Sequence, residues 1–197
     1  MHKNVKEQKM TSTQLFLLAY QTCQWWNAVF IQVKRFFDVL EEEHGGTPWD
    51  DGAANSMFVA ERMFLITAIY HAIENIQKLD VELQRVNDIT LQKVLQKIEA
   101  VASLIDIKNL RDMNEHGLDY LINKGRRQDQ FRSSVKKDDY KILTTAAWTY
   151  VHCDAKMILL GNLQIDKLLI VMKDQMPVVS EKTKEIFEKE FVGDNND

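Results

Sequence analysis

Cysteine and proline are scarce in this chain, and it has neither a strong net charge nor a long apolar run. Its two cysteines, Cys23 and Cys153, lie far apart without a CxxC pairing, which fits a reducing compartment better than a disulfide framework. The formal net charge of −4 argues against a protein that coats nucleic acid through bulk charge. The first residues lack the apolar stretch of a signal peptide, and no apolar run approaches the length of a membrane span. We therefore expect a cytoplasmic protein without membrane segments.

Helical patterning dominates the first two thirds of the chain. Four main helices are predicted from apolar residues at helical spacing, over residues 11–43, 53–79, 90–105 and 107–123. Residues Thr11 to Thr13 provide N-cap candidates for the first helix, and Gly45, Gly46 and Pro48 follow its end. Asp88 or Thr90 is expected to cap the third helix. This pattern is typical of an up-and-down helical bundle.

The last third of the chain mixes two kinds of pattern. Residues 142–153 are rich in β-branched and aromatic side chains, and residues 157–160 follow after a short polar connection, which predicts a small β-hairpin. Residues 129–139 are expected to form an exposed loop. Helical spacing returns at 165–175, where Pro177 kinks or ends the helix, and Ser180 caps a last helix over 178–191.

Together these patterns predict a single all-α domain spanning residues 1–197. It consists of a bundle of four main helices with a small late β-hairpin and C-terminal helices. The core is expected over residues 11–175, and residues 192–197 are expected to form a disordered tail.

The segment 109–127, NLRDMNEHGLDYLINKGRR, places unusually many charged and polar side chains on one predicted helix. An apolar stripe centred near Leu110 and Leu121 faces a core, and Asn114 falls within it, where a structural hydrogen bond is its simplest role. The opposite side mixes apolar, amide and titratable groups, which we interpret as a second, half-buried surface. Its members are Ile105, Asn109, Asp112, Met113, His116 and Tyr120.

The spacing of the charged residues limits what one helix can do alone. Asp112 and His116 are four residues apart, so the carboxylate could hold the imidazole in one tautomer. Arg111 and His116 are five apart, about 140° around a straight helix. A symmetric partner helix, or a bend, is needed to bring them to one atom. The simplest alternative for Arg111 is an ion pair with Glu115, one turn further along.

Arg111, the polar Asp112 and His116 after four intervening positions resemble the signature of the HEPN superfamily (higher eukaryotes and prokaryotes nucleotide-binding domain). The longer string RDMNEHGLDYLINKGR is similar to that of bacterial HEPN-like proteins, which run on with an acidic-aromatic pair and a Lys-Gly-Arg turn. The resemblance covers the helical body, residues 15–169. Asp112 stands where many family members have Asn.

This resemblance implies a metal-independent endoribonuclease without a cofactor, producing 2′,3′-cyclic phosphate and 5′-OH ends. Arg111 would hold the scissile phosphate, His116 would transfer protons, and Asp112 would orient His116 or the substrate. The family pattern also implies a homodimer through the face from Asn109 to Tyr120, in which both motifs meet. A role in a toxin or defence system would imply a protein antitoxin.

We assign substrate binding to the polar and basic residues around the motif, namely Asn109, Asn114, Glu115, Tyr120, Lys124, Arg126 and Arg127. The alternative function is a catalytically inactive HEPN-like module that binds a nucleotide or a protein. A third, less favoured hypothesis is a helical scaffold with no functional site. His71 and Glu74 are half of a metal site, but no second pair with matching spacing accompanies them, so no metal is expected.

Overall fold

The protein is an all-α helical bundle, as predicted. The computed structural model describes residues 9–42, 52–115, 133–137, 140–144, 159–160 and 163–193. The helices within these ranges are α1 (Ser12–Glu42), α2 (Gly52–Gln84), α3 (Thr90–Glu99), α4 (Leu104–Glu115) and α5 (Ile165–Gly193). That the whole chain forms one domain with its core in residues 11–175 stays a prediction.

The first helix starts with a reciprocal cap. The Thr11 backbone N–H donates to Gln14 Oε1 at 2.9 Å, and the Gln14 backbone N–H donates to Thr11 Oγ1 at 3.2 Å. This capping box satisfies two N–H groups that have no partner inside the helix. The N-cap predicted near Thr11 is therefore confirmed.

Helices α1 and α2 form an antiparallel pair that carries much of the core. Arg35, late in α1, pairs with Glu61, early in α2, and Trp25, nearer the middle of α1, stacks on His71 further along α2. Aliphatic and aromatic side chains from all five described helices pack between and around this pair. The largest fully buried ones are Trp26, Phe36, Leu65, Ile66, Ile69, Ile76, Leu79, Leu91, Ile98, Ile107 and Ile165.

The second helix runs further than its predicted end at residue 79. It continues to Gln84 because Leu83, one turn beyond Leu79, is also buried in the core. The chain then turns at Asn87, whose φ of 61° lies in the left-handed region that Asn tolerates. The N-cap of α3 is Ile89, without a side-chain cap hydrogen bond, so the cap expected at Asp88 or Thr90 was wrong. Asp88 Oδ1 nevertheless accepts a hydrogen bond from the Thr90 backbone N–H at 2.9 Å, just before the helix.

The predicted boundary between the third and fourth helices was also wrong. The third was expected to continue to residue 105, but α3 ends at Glu99 and α4 begins at Leu104. Ile105 therefore belongs to the first turn of α4, and it is 62% exposed. Its apolar character extended the apparent repeat of α3, although its side chain does not face the core.

The expected late β-hairpin is present, but its strands differ from the prediction. Strand β1 (Ser133–Lys137) pairs antiparallel with β2 (Tyr140–Thr144), placing Val135 opposite Ile142. A second, smaller pair joins β3 (Leu159–Leu160) to β4 (Leu163–Gln164). Of the two predicted strands, 142–153 and 157–160, the structure describes residues 142–144 and 159–160, and these pair with β1 and β4 rather than with each other. Residues 133–137 of the predicted loop 129–139 form β1 instead. The polar composition of β1 had concealed its strand character.

Helix α5 passes through Pro177 without a break. Of the two outcomes expected at Pro177, a kink or an end, the end was therefore wrong, as was the separate helix over 178–191, because the helix continues as far as Gly193. Proline removes one helical hydrogen bond, but buried side chains on both sides, including Met172 and Val179, hold the segment against the core. Of the predicted tail, residues 194–197 lie outside the described ranges.

Helix α5 closes the bundle by contacting α1 and α3. Phe187 meets Phe16 edge-on, with ring centroids 5.1 Å apart. Lys97 Nζ on α3 donates to Gln175 Oε1 at 3.0 Å. None of the helices in the described ranges combines the length and apolar character needed to cross a membrane.

Candidate functional site

Arg111 lies in the last described turn of α4 and faces α2. Its neighbours along the helix, Ile107 and Leu110, are buried and fix the side of α4 that meets the core. The Arg111 guanidinium carbon lies 4.7 Å from the centre of the Tyr70 ring, within the range of a cation–π contact. The Arg111 side chain is only 25% exposed. The bundle therefore holds this planar cation against an aromatic ring.

Two carboxylates of the same helix neutralise Arg111. Its Nη1 donates to Asp112 Oδ1 at 2.8 Å, and its Nε lies 2.9 Å from Glu115 Oε1 without an aligned hydrogen bond. The hydrogen bond to Asp112, with the negative charge of Glu115, raises the pKa of Arg111 although burial opposes the change. The alternative foreseen from the spacing, an ion pair with Glu115, is confirmed.

A row of polar side chains on α2 continues the site away from Arg111. Tyr70 Oη donates to Glu74 Oε1 at 3.2 Å, His71 Nδ1 lies 3.4 Å from Glu74 Oε2, and Lys78 Nζ lies 3.3 Å from Glu74 Oε1. Burial disfavours the Glu74 carboxylate, but the hydrogen bonds and charge of these neighbours outweigh it and lower its pKa. Burial and Glu74 together raise the pKa of Tyr70.

Aromatic contacts tie these residues to a third helix. The indole of Trp25 on α1 lies over His71, with ring centroids 4.6 Å apart and planes tilted by 33°. His71 in turn meets Tyr70 edge-on at 5.1 Å. Three helices are thus linked through one continuous group of side chains. We call this group the Arg111 cluster: Trp25, Tyr70, His71, Glu74, Lys78, Arg111, Asp112 and Glu115.

The Arg111 cluster has a surplus of negative charge when its histidine is neutral. Its cations are Lys78 and Arg111, and its carboxylates are Glu74, Asp112 and Glu115. Two cations thus face three carboxylates. Positive charge for binding RNA would therefore have to come from side chains beyond this cluster, such as the predicted Lys124, Arg126 and Arg127.

The structure reaches only part of the predicted site. Asn109 is half-buried, two residues before Arg111. The backbone of Asn114 is helical, but its side chain lies outside what the structure describes. Five further predicted residues also lie outside the described ranges: His116, Tyr120, Lys124, Arg126 and Arg127. The orientation of His116 by Asp112 and the meeting of two motifs in a dimer stay predictions.

Metal ligands do not cluster in the described parts of the chain. No group of three or more His, Cys, Asp or Glu side chains there is arranged to hold a metal ion. His71 and Glu74 supply two potential ligands, which is fewer than a protein site ordinarily provides for zinc.

Three residues of the Arg111 cluster, Trp25, Tyr70 and Lys78, were not predicted as parts of a site. Taken singly, Trp25 and Tyr70 carry no sign of a site in the sequence, because an aromatic residue on a helix is most often part of a core. The spacing of Tyr70, His71 and Glu74 on one helix is a usable signal, since residues three and four apart face each other. Nothing local indicates that Arg111 lies over Tyr70.

Comparison with known proteins adds no assignment. No protein-family model, curated protein or solved structure matches this chain. The class that fold and site define is therefore a helical-bundle protein with a half-buried arginine held between carboxylates and a tyrosine ring.

Proposed function

We propose that this chain is a HEPN-like, metal-independent endoribonuclease that cleaves RNA to 2′,3′-cyclic phosphate and 5′-OH ends. The observation that carries the proposal is the fixed position of Arg111 in the last described turn of α4, five residues before His116 in the sequence. A planar cation with several N–H donors suits the charge of a phosphodiester in its transition state. Packing against Tyr70 restricts the Arg111 side chain before substrate binds. Less conformational entropy is then lost on binding.

Among the described residues, the contacts of Arg111 leave part of its guanidinium for a ligand. Asp112 engages Nη1 and Glu115 approaches Nε, and a guanidinium has five N–H donors in all. The Nη2 group is the one we assign to the scissile phosphate. Asp112 and Glu115 then act as positioning residues that keep Arg111 charged and oriented before RNA arrives.

The remaining roles follow from the motif. His116 takes the proton of the 2′-OH or gives a proton to the leaving 5′ oxygen. Asn109, Asn114 and Tyr120 border the substrate. The basic side chains of Lys124, Arg126 and Arg127 hold the RNA backbone and supply the positive charge that the Arg111 cluster lacks.

The proposal includes a homodimer formed through the face from Asn109 to Tyr120. Two copies of the motif helix would then bring both Arg111 and both His116 side chains to one cleft. Exposed Ile105, one turn before Asn109, offers apolar area beside this face. We place the protein in the cytoplasm, in a toxin or defence system with a protein antitoxin.

A second candidate is a catalytically inactive HEPN-like module that binds a nucleotide or a protein. The negative surplus of the Arg111 cluster favours it, because a phosphodiester entering beside Arg111 meets three carboxylates, so that a ligand of the module would bind away from this cluster. In that case Arg111 stays in its local ion pairs and stabilises the end of α4.

The distinguishing experiment is cleavage of a mixed RNA substrate in the presence of EDTA. It compares the wild type with Arg111→Ala and His116→Ala. Arg85→Ala is the matched control, because Arg85 also pairs with a carboxylate one helical turn away, Glu82 at 3.4 Å. The chemistry of the product ends is determined, and helical content and molecular mass are checked for each variant.

Cleavage to cyclic phosphate ends that is lost in the Arg111 and His116 variants but kept in Arg85→Ala supports the proposal. Absence of cleavage by the wild type contradicts it. The inactive module is then supported if wild-type protein binds a nucleotide or a protein and Arg111→Ala keeps that binding, since Arg111 has only a local structural role in that case.

A further inference from the structure

Cleavage of RNA by its own 2′-OH needs two proton transfers. One group removes the 2′ proton, and another protonates the 5′ oxygen as the P–O5′ bond breaks. The motif supplies a single histidine per protomer. The Arg111 cluster, however, contains a second histidine on α2, to which the motif assigns no role.

His71 lies beside the same tyrosine ring as Arg111. The imidazole and Tyr70 rings are 5.1 Å apart between centroids, and the Arg111 guanidinium carbon is 4.7 Å from the Tyr70 centroid. The His71 side chain is 28% exposed, so solvent or substrate can reach it. One protomer therefore presents a cation for phosphate and an imidazole that both contact the Tyr70 ring.

Glu74 and Trp25 hold the His71 imidazole. Glu74 Oε2 lies 3.4 Å from Nδ1, an arrangement that favours the tautomer with its proton on Nδ1. Nε2 is then the basic nitrogen, and no described residue forms an ion pair or hydrogen bond with it. The stack on Trp25 restricts rotation of the ring. The lowered pKa of Glu74 keeps its carboxylate ionised for this task.

We propose that His71 is a second proton-transfer residue of the ribonuclease site and that Glu74 is its positioning residue. This inference rests on the proposed function. Nε2 of His71 takes the proton as the 2′ O–H bond breaks, and the 2′ oxygen forms a bond to phosphorus. The P–O5′ bond breaks, and protonated His116 gives its proton to the 5′ oxygen. Solvent then returns each histidine to its starting state.

The inference changes what the dimer has to supply. Arg111 and His71 come from adjacent helices of one chain, so the base and the phosphate-binding cation do not depend on a second copy. A dimer would then serve to place His116 and the basic side chains rather than to complete the proton transfers.

The test measures cleavage of a defined short RNA by the full chain, with kcat and KM determined separately. The His71→Ala variant removes the imidazole, and His71→Phe keeps an aromatic ring against Trp25. Gln77→Ala is the matched control, since Gln77 is exposed on the same helix. Imidazole is added to each reaction to test rescue of the missing base.

The inference predicts a fall in kcat of about 10² to 10⁴-fold in both His71 variants, the range for a lost general acid or base, with little change in KM. It also predicts that imidazole restores part of the kcat of His71→Ala but not of His71→Phe, where the site is filled. Glu74→Gln should lower kcat less and resist imidazole rescue, because its histidine remains.

Two results overturn the inference in distinguishable ways. If the wild type cleaves RNA and Arg111→Ala abolishes cleavage, but His71→Phe keeps wild-type kcat, then His71 has a packing role and the proposed function stands. If the wild type does not cleave RNA, the proposed function fails and this inference fails with it.

Discussion

The contact between Lys182 and Asp88 leads to a quantitative prediction about stability. Lys182 Nζ on α5 lies 2.9 Å from Asp88 Oδ2 in the turn that precedes α3, and the two side chains are only 12% and 25% exposed. Asp88 also accepts a hydrogen bond from the Thr90 backbone N–H at 2.9 Å. This ion pair therefore joins α5 to the start of α3.

The magnitude follows from the titration of Asp88. Its hydrogen bonds from Lys182 first, and from Thr90, lower its pKa from 3.8 to about 2. At 1.36 kcal/mol per pKa unit this corresponds to about 2.5 kcal/mol. The hydrogen bond from Thr90 accounts for part of this stabilisation. We therefore expect Lys182→Met to lower the free energy of unfolding at pH 7 by about 1 to 2 kcal/mol.

The sign of the pH dependence is also determined. A carboxyl group whose pKa is lower in the folded state stabilises the fold above its unfolded pKa, and the contribution is lost as pH falls through the folded value. The contribution of Asp88 should therefore be complete above pH 5 or so and disappear between about pH 4 and pH 2. Wild-type protein should lose more stability over that interval than Asp88→Asn.

The assay is urea unfolding of the wild type, Lys182→Met, Asp88→Asn and the double variant. Lys184→Met is the control, since the Lys184 side chain is 73% exposed and its ion pair with Glu188 lies within one helix. It should change stability by less than about 0.5 kcal/mol. Additive effects of the two single substitutions, or equal acid sensitivity of Asp88→Asn and wild type, would refute the reasoning.

Three further predictions concern the bundle and its site. Pro177→Ala should raise the free energy of unfolding by about 1 to 3 kcal/mol, because it restores a backbone donor inside a continuous helix; a loss of stability in urea unfolding would contradict this. Leu91→Ala should lower it by about 2 to 5 kcal/mol because Leu91 is fully buried, whereas Ile31→Ala at an exposed position should have a much smaller effect. Ultraviolet titration of wild type against Tyr70→Phe should show one phenol ionising above its ordinary pKa of 10.0, since burial and Glu74 both disfavour the phenolate; ionisation at or below that value would argue against the contact.

The fold was largely predictable because apolar spacing determines which helix faces can be buried. The start of α1 followed from its capping residues, and the stripe through Leu110 correctly predicted the buried side of α4. Local rules failed where packing between distant segments decided the outcome. Pro177 lies inside a helix because residues on both sides of it are buried, and a local pattern contains no information about those partners.

The site was less predictable than the fold. The pairing of Arg111 with Glu115 followed from their spacing on one helix. The contact of Arg111 with Tyr70 brings together residues 41 positions apart in the sequence, and such a contact depends on how α2 and α4 pack. The three carboxylates of the Arg111 cluster outnumber its two cations. The basic residues Lys124, Arg126 and Arg127 had not suggested this negative surplus.

The most direct test of the proposed function uses two short RNAs that differ in one atom. One is all-ribose, and the other carries a single 2′-deoxyribose at the mapped cleavage position. Both are incubated with wild-type protein in EDTA. The account predicts cleavage of the first RNA to a 2′,3′-cyclic phosphate and no cleavage of the second at that position, because the 2′-OH is the nucleophile. Cleavage of both RNAs at the same position, or of neither, would contradict it.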